Sequence, residues 1–298
     1  MNIKVIKNEK IQNTNRAKDI HFIEINVNQM ESIDEKLAEK FLDDIIMQNI
    51  HLDFTTETWN DIKDIIEDKL EKANKYSKGY LKNDGTIIPL IANYVIEKVF
   101  NVELLTYSEN LDDIEIVPKG FDAIFLDNDL SIFLCEHKSS ITKLNEEEIS
   151  KKLMSGYKSV FCTDSSVISK ISTIKTRIEI EEKKNKEVIK RNLNKIKENR
   201  RKLEEITDDE CAKFNLCCIT KSSSKLSLEV VTENINNKFK KEIYCMDNKN
   251  KRCKKYDTCQ KIEKIKVINI IVIKIPDDFK IETFYKNIIK KIEEKINE

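Results

Sequence analysis

Glycine and proline are nearly missing from this chain, with 4 Gly and 3 Pro in 298 residues. So small a supply of turn-formers argues against a loop-rich fold and for long regular elements. Histidine is as scarce: His21, His51 and His137 are all there is. An H-E-x-x-H helix and a Cys2His2 finger are therefore excluded. No glycine-rich phosphate loop occurs either, so any work driven by ATP must be done by another subunit. No apolar run approaches the length of a membrane span, and the polar start Met1-Asn2-Ile3-Lys4 lacks a signal-peptide core. The expectation is a cytoplasmic protein without membrane association.

Net charge is also absent, 53 basic residues against 53 acidic, and names no partner by itself. Its distribution is uneven. Lys175 to Ile206 holds 12 Lys or Arg against 7 Glu, Lys238 to Lys266 holds 11 against 4, and Glu103 to Leu130 is acidic with Lys119 its only basic residue. Basic segments around an acidic region suit a phosphate backbone approaching a cation, although solvated helix faces account for most charge runs.

Eight cysteines in a cytosolic chain argue against disulfides. Cys245, Cys253 and Cys259 cluster among Lys and Arg, and Cys211, Cys217 or Cys218 could supply a fourth thiolate. A structural Zn2+ or Fe–S site and a basic loop of reduced thiols are both open, and the lack of any C-x2-C pair favours the thiols. Cys135 and Cys162 read as small core residues.

What is present centres on Gly120 to Ser140. Two apolar runs, Ala123 to Leu126 and Leu130 to Cys135, flank Asp127-Asn128-Asp129 and predict a β-hairpin. Asp122 opens the first strand; Glu136 and Lys138 close the second, two residues apart and so on one face, with His137 facing the other way. Register decides whether the acids meet. A two-residue loop at Asn128-Asp129 would set Asp122 opposite Cys135, whereas a three-residue loop or a bulge would set it opposite Glu136, and the latter is expected. Two carboxylates beside an ammonium suit a divalent ion held by hard oxygen ligands, with the lysine next to the attacking water.

This arrangement resembles the PD-(D/E)XK nuclease superfamily, in which an Asp on one strand and a Glu-x-Lys on the next form the metal site. Glu-x-Lys recurs at Glu67, Glu182 and Glu293, but in charged, helix-like segments; only Glu136 ends an apolar strand with an Asp on the strand before. The resemblance implies a restriction-endonuclease-like mixed β-sheet flanked by helices, with Mg2+ or Mn2+ held by Asp122 and Glu136, Lys138 at the attacking water, and DNA as substrate. It also implies a helix before the hairpin, often with an acid facing the metal. Glu97 is the candidate there, solvent exposure beside Lys98 being the other reading.

Elsewhere the patterning predicts strands at Ile3 to Ile6 and Ile20 to Val27, and helices at Glu31 to Ile50 and from Thr55-Thr56 to about Tyr76. A helix at Ile87 to Phe100 and strands at Val102 to Leu105 and, as an extended lead-in, Ile114 to Val117 precede the hairpin. A helix from Asn145 to about Tyr157 follows it, and Lys151, Lys152, Tyr157 or Lys158 is expected to touch DNA there. Ser139 and Ser140 could contact phosphate. A charged helical stretch at about 165–207, strands at Leu226 to Val231 and Val267 to Ile275, and a helix at Phe284 to Ile296 complete the chain. The division expected is a mostly helical N-terminal accessory region, 1–83, and a nuclease-like domain, 84–298, with the charged helix inserted. This layout is similar to the HamA effector family of bacterial Hachiman anti-phage systems, which implies a helicase partner, HamB, that restrains the nuclease. The competing class is a non-catalytic adaptor that binds nucleic acid or protein.

Overall fold

The computed structural model describes residues 3–12, 19–28, 30–48, 53–76, 87–107, 122–138, 142–161, 186–202, 212–235, 237 and 267–297. Their centre is one seven-stranded mixed sheet. Its strands are β1 (Ile3–Gln12), β2 (Asp19–Val27), β3 (Glu103–Tyr107), β4 (Ala123–Leu126), β5 (Ile132–His137), β6 (Ala212–Lys221) and β7 (Val267–Ile275), in the order β1-β2-β7-β6-β5-β4-β3. β2, β7, β6 and β5 run parallel, and antiparallel pairs close both ends.

Strand alternation sorts the interior into two layers. Phe125, Phe133, Cys135, Cys217, Ile219, Ile271 and Ile273 face one side, where α1 (Glu31–Gln48), α2 (Thr56–Tyr76), α3 (Ile87–Phe100) and α7 (Ile281–Asn297) supply Leu37, Trp59, Ile91 and Phe284. Ile124, Leu134, Phe214, Leu216, Cys218 and Ile270 face the other, covered by α4 (Glu146–Phe161), α5 (Lys186–Lys202) and α6 (228–235). A strand buried on both faces reads as a continuous apolar run, as β7 does. Among the described residues no helix is long and apolar enough to cross a membrane.

Local chemistry sets the boundaries. Asn145 and Glu148 exchange side-chain and backbone hydrogen bonds at 2.9 Å each, a capping box that starts α4. Asn101, with φ of 52°, ends α3 in the left-handed region that asparagine tolerates and turns the chain into β3.

Several expectations change. The strand predicted at Leu226 to Val231 is a helix: Leu228, Val231 and Ile235 are buried at helical spacing, and the Val230 N–H bonds Ser227 Oγ at 3.4 Å. β6, a central strand, has no counterpart in the predicted elements. β1 continues through Lys7 and Lys10, well past its apolar start, as a lysine-bearing edge strand can. The region expected to be a mostly helical accessory, 1–83, shares its sheet with the rest of the chain, since β2 pairs along β7. The extended segment expected at Ile114 to Val117, the corner at Gly120, Ser139, Ser140, Cys162, Cys211, Cys245, Cys253 and Cys259 lie outside the described residues.

Candidate active site

A three-residue loop sets the hairpin's register. Asp127 N–H bonds the Ser131 carbonyl at 3.0 Å and Leu130 N–H bonds the Asp127 carbonyl at 3.0 Å, while Leu130 takes φ of 64°. The Asp127 carboxylate fastens the turn from inside, accepting from Asp129 N–H at 3.0 Å and Ser131 N–H at 2.8 Å, with Lys213 Nζ 3.0 Å from its other oxygen. From this loop Leu126 pairs with Ile132 and Ala123 with Cys135. The paired register ends there: Asp122 lies in a bend just ahead of β4, and its charge acts on Lys138 and also on Cys135, which faces the other layer.

The strand ends hold these groups firmly. Asp122 Oδ2 accepts the backbone N–H of His137 at 2.6 Å, and Lys138 N–H reaches across to the Cys217 carbonyl at 2.9 Å. Glu136 is 1% exposed, with Oε1 2.8 Å from Lys138 Nζ. His137, between them in sequence, is buried and belongs to the opposite face by alternation. Burial alone would lower the pKa of the Lys138 ammonium, but the Glu136 and Asp122 carboxylates outweigh it and hold the value above the usual 10.5. The lysine is therefore a cation throughout the neutral range.

Gly156 is part of this arrangement and was not anticipated. A Cβ on it would come within 2.9 Å of Lys138 Cγ and 3.0 Å of Glu136 Cγ, so α4 can cross the Glu-x-Lys strand this closely only without a side chain there. The available signal was a glycine inside an amphipathic helical pattern, in a chain that has few of them.

No family model matches the chain, and no curated protein does. The site's capabilities must be read from its own chemistry.

The other candidates divide clearly. Glu97 is drawn away from the hairpin acids: it lies in the α1–α3 layer, where its carboxylate accepts Leu104 N–H at 3.0 Å and pairs with Lys40 at 3.0 Å. Lys151 is exposed and paired with Glu147 at 2.7 Å, one turn back along α4. Cys217 and Cys218 point to opposite faces of β6 and are fully buried; burial pushes the Cys217 thiol up and that of Cys218 to about 12, which suits core packing better than metal ligation.

Among the described residues, no three His, Cys, Asp or Glu side chains converge as a ready-made metal cage. A tetrahedral zinc site needs more donors than Asp122 and Glu136 provide. Mg2+ or Mn2+ fits the pair better: such hard ions accept one or two carboxylates and fill their remaining positions with water and substrate phosphate oxygens.

Proposed function

We propose that this chain is a metal-dependent nuclease of the PD-(D/E)XK type that hydrolyses DNA phosphodiester bonds. The observation that carries the reading is the Lys138 ammonium 2.8 Å from the buried Glu136 carboxylate, with the Asp122 carboxylate held on the backbone N–H of the intervening His137. Asp122 and Glu136 would hold the ion, which when bound supplies Lewis-acid polarisation of the phosphodiester. Lys138 keeps its proton, so it acts as a fixed positive hydrogen-bond donor that orients the attacking water and steadies charge building on the phosphate. The His137 N–H fixes the Asp122 carboxylate, and the backbone bond to β6 fixes Lys138, so little reorganisation is needed when substrate arrives. The narrower expectation, an anti-phage effector working beside a helicase of the HamB kind, rests on the sequence resemblance alone, and co-purification from the native host would test it.

A second reading has one observation in its favour. A 2.8 Å ion pair at a strand end is also what a purely structural contact in a nucleic-acid-binding adaptor would look like. One assay separates the two: linear and supercoiled DNA with Mg2+ or Mn2+, using the wild-type chain, Asp122→Asn, Glu136→Gln and Lys138→Met. Cleavage by the wild type, reduced at least 100-fold in each variant while DNA binding persists, supports the nuclease. Wild-type DNA binding without cleavage in either metal, with any helicase partner present, would sink it.

A further inference from the structure

We infer that Thr220 is a positioning residue for the Glu136–Lys138 pair, acting through α4. Its side chain is fully buried near the carboxyl end of β6, where hydroxyl groups must find partners inside the protein. Thr220 Oγ1 donates to the Thr142 carbonyl at 3.1 Å, which commits its single proton and leaves it an acceptor for everything else. It accepts Leu144 N–H at 3.1 Å and stands 2.7 Å from Ser224 Oγ, so Ser224 is the donor in that pair. Leu144 N–H is shared with Ser224 Oγ, also at 3.1 Å, and Lys221 N–H adds a bond of 3.3 Å to the Thr142 carbonyl. One hydroxyl thus joins the end of β6, the turn after it and the segment that leads into α4. Valine has a similar shape and suits a central strand, so packing alone does not call for a hydroxyl there.

What the clamp controls is the start of a helix that runs down against the candidate site. Leu144 directly precedes Asn145, whose exchange of bonds with Glu148 caps α4. From Leu144 to Gly156 is about 18 Å of helix rise. There a Cβ on Gly156 would meet Lys138 Cγ at 2.9 Å, Glu136 Cγ at 3.0 Å and Leu216 Cδ2 at 3.7 Å. Leu216 belongs to β6, as Thr220 does, and strand alternation puts the two on one face. α4 is therefore referenced to a single strand twice, by hydrogen bonds at Thr220 and by packing at Leu216. The same strand receives Lys138 N–H on the Cys217 carbonyl at 2.9 Å. Strand, helix and ion pair form a closed frame, and in a close-packed interior a slide of α4 is passed on at Gly156 to Glu136 and Lys138. The catalytic meaning of this placement rests on the nuclease reading; the mechanical link does not.

The test compares Thr220→Val, Thr220→Ser and Gly156→Ala in the full chain, with Trp59→Phe as a destabilised control from the opposite layer. Single-turnover cleavage of plasmid with Mg2+ at saturating DNA, affinity for a DNA duplex in EDTA, and amide exchange at Lys138 are read for each. Thr220→Val should slow cleavage by about tenfold or more while affinity stays within about twofold, and Thr220→Ser, which keeps the hydroxyl, should restore the rate. Trp59→Phe should cut as the wild type does. Because Thr220 works through the contact at Gly156, Thr220→Val/Gly156→Ala should lose less than the product of the two single losses. Lys138 N–H should exchange about tenfold faster in Thr220→Val and recover in Thr220→Ser, with or without metal. If Thr220→Val fails to fold, Ser224→Ala loosens the same clamp and should give smaller changes in the same direction. An unchanged rate in Thr220→Val, a serine variant as slow as the valine one, an equal loss in Trp59→Phe, a multiplicative double variant, or a loss falling on affinity alone would each overturn the proposal. Should the wild type never cut with metal, the nuclease reading fails and Lys138 exchange decides: unchanged protection in Thr220→Val overturns the positioning role, and faster exchange restored by serine sustains it.

Discussion

Replacing Gly156 with alanine should cost activity far more than stability. The new methyl would start 2.9 Å from Lys138 Cγ and 3.0 Å from Glu136 Cγ, with Leu216 Cδ2 3.7 Å away on a third side. Carbon atoms settle at about 3.5–4.0 Å, so the strand-end side chains or α4 must retreat by about 0.5–1 Å. Glu136 is 1% exposed, so it cannot swing out into solvent without breaking its contact with Lys138. Two effects on stability oppose each other. Alanine gains about 1 kcal/mol over glycine inside a helix, and overpacking loses about 1–3 kcal/mol. The net change should lie between about zero and 2 kcal/mol of destabilisation. Activity has no such compensation, because a displacement near 1 Å at reacting groups costs on the order of 100-fold. Single-turnover cleavage of supercoiled plasmid with Mg2+, read beside urea unfolding, measures both quantities. The rise in melting temperature on adding Mn2+ is a third readout that does not depend on cutting, and it should shrink in the variant. An alanine variant that cuts at the wild-type rate and keeps the full Mn2+ response would refute the reasoning.

Lys138→Met leaves a buried carboxylate without its ammonium and should destabilise the fold toward the low end of about 3–5 kcal/mol, since the lysine side chain is 33% exposed; Glu136→Gln/Lys138→Met should recover most of the loss in urea titrations. The folded-state pKa of Lys138 is raised, so the pair contributes fully below the ordinary 10.5 and is lost as pH climbs through the folded value. Stability measured above about pH 10.5 should therefore fall more steeply in the wild type than in that double variant. Asp127→Ala removes the acceptor of two turn N–H groups and the partner of Lys213, and should cost about 2–3 kcal/mol with faster amide exchange along β4 and β5.

The hairpin was legible because three independent signals agree there: alternating faces, a polar turn and charges only at the rim. Asp127 shows why the register could be deduced, since its carboxylate closes a three-residue loop of the length that sets Leu126 across from Ile132 and Ala123 across from Cys135. β6 was hidden for a different reason. Its Cys217-Cys218 pair invited a ligand reading, while the lysine and asparagine of Lys213-Phe214-Asn215 weakened the apolar run; in the fold Asn215 is buried, donating to the Leu134 carbonyl at 3.1 Å and accepting from Asn269 at 2.8 Å. Leu226 to Val231 misled because a single turn of apolar and polar residues fits period two and period 3.6 about equally, and the deciding cap, Ser227, is one residue. Glu97 was well placed in sequence and badly placed in space. Only the layer to which α3 belongs shows that its carboxylate looks toward Lys40. Gly156 could be found only where two elements distant in sequence touch, which no local pattern reports.

β7 reaches the ribosome's exit long after β2, yet it separates β2 from β6, with Ile20 aligned to Ile268 and Phe214 to Ile268 from the other side. During synthesis the β1–β2 ribbon must therefore wait for a companion about 250 residues downstream. The hairpin bearing Asp122 and Glu136 can gather beside β6 before that insertion, but the two halves have no shared spine until it happens. Closure over so long a stretch of chain is slow. A cell making this protein thus has an interval in which the acidic strand ends exist and the finished scaffold does not.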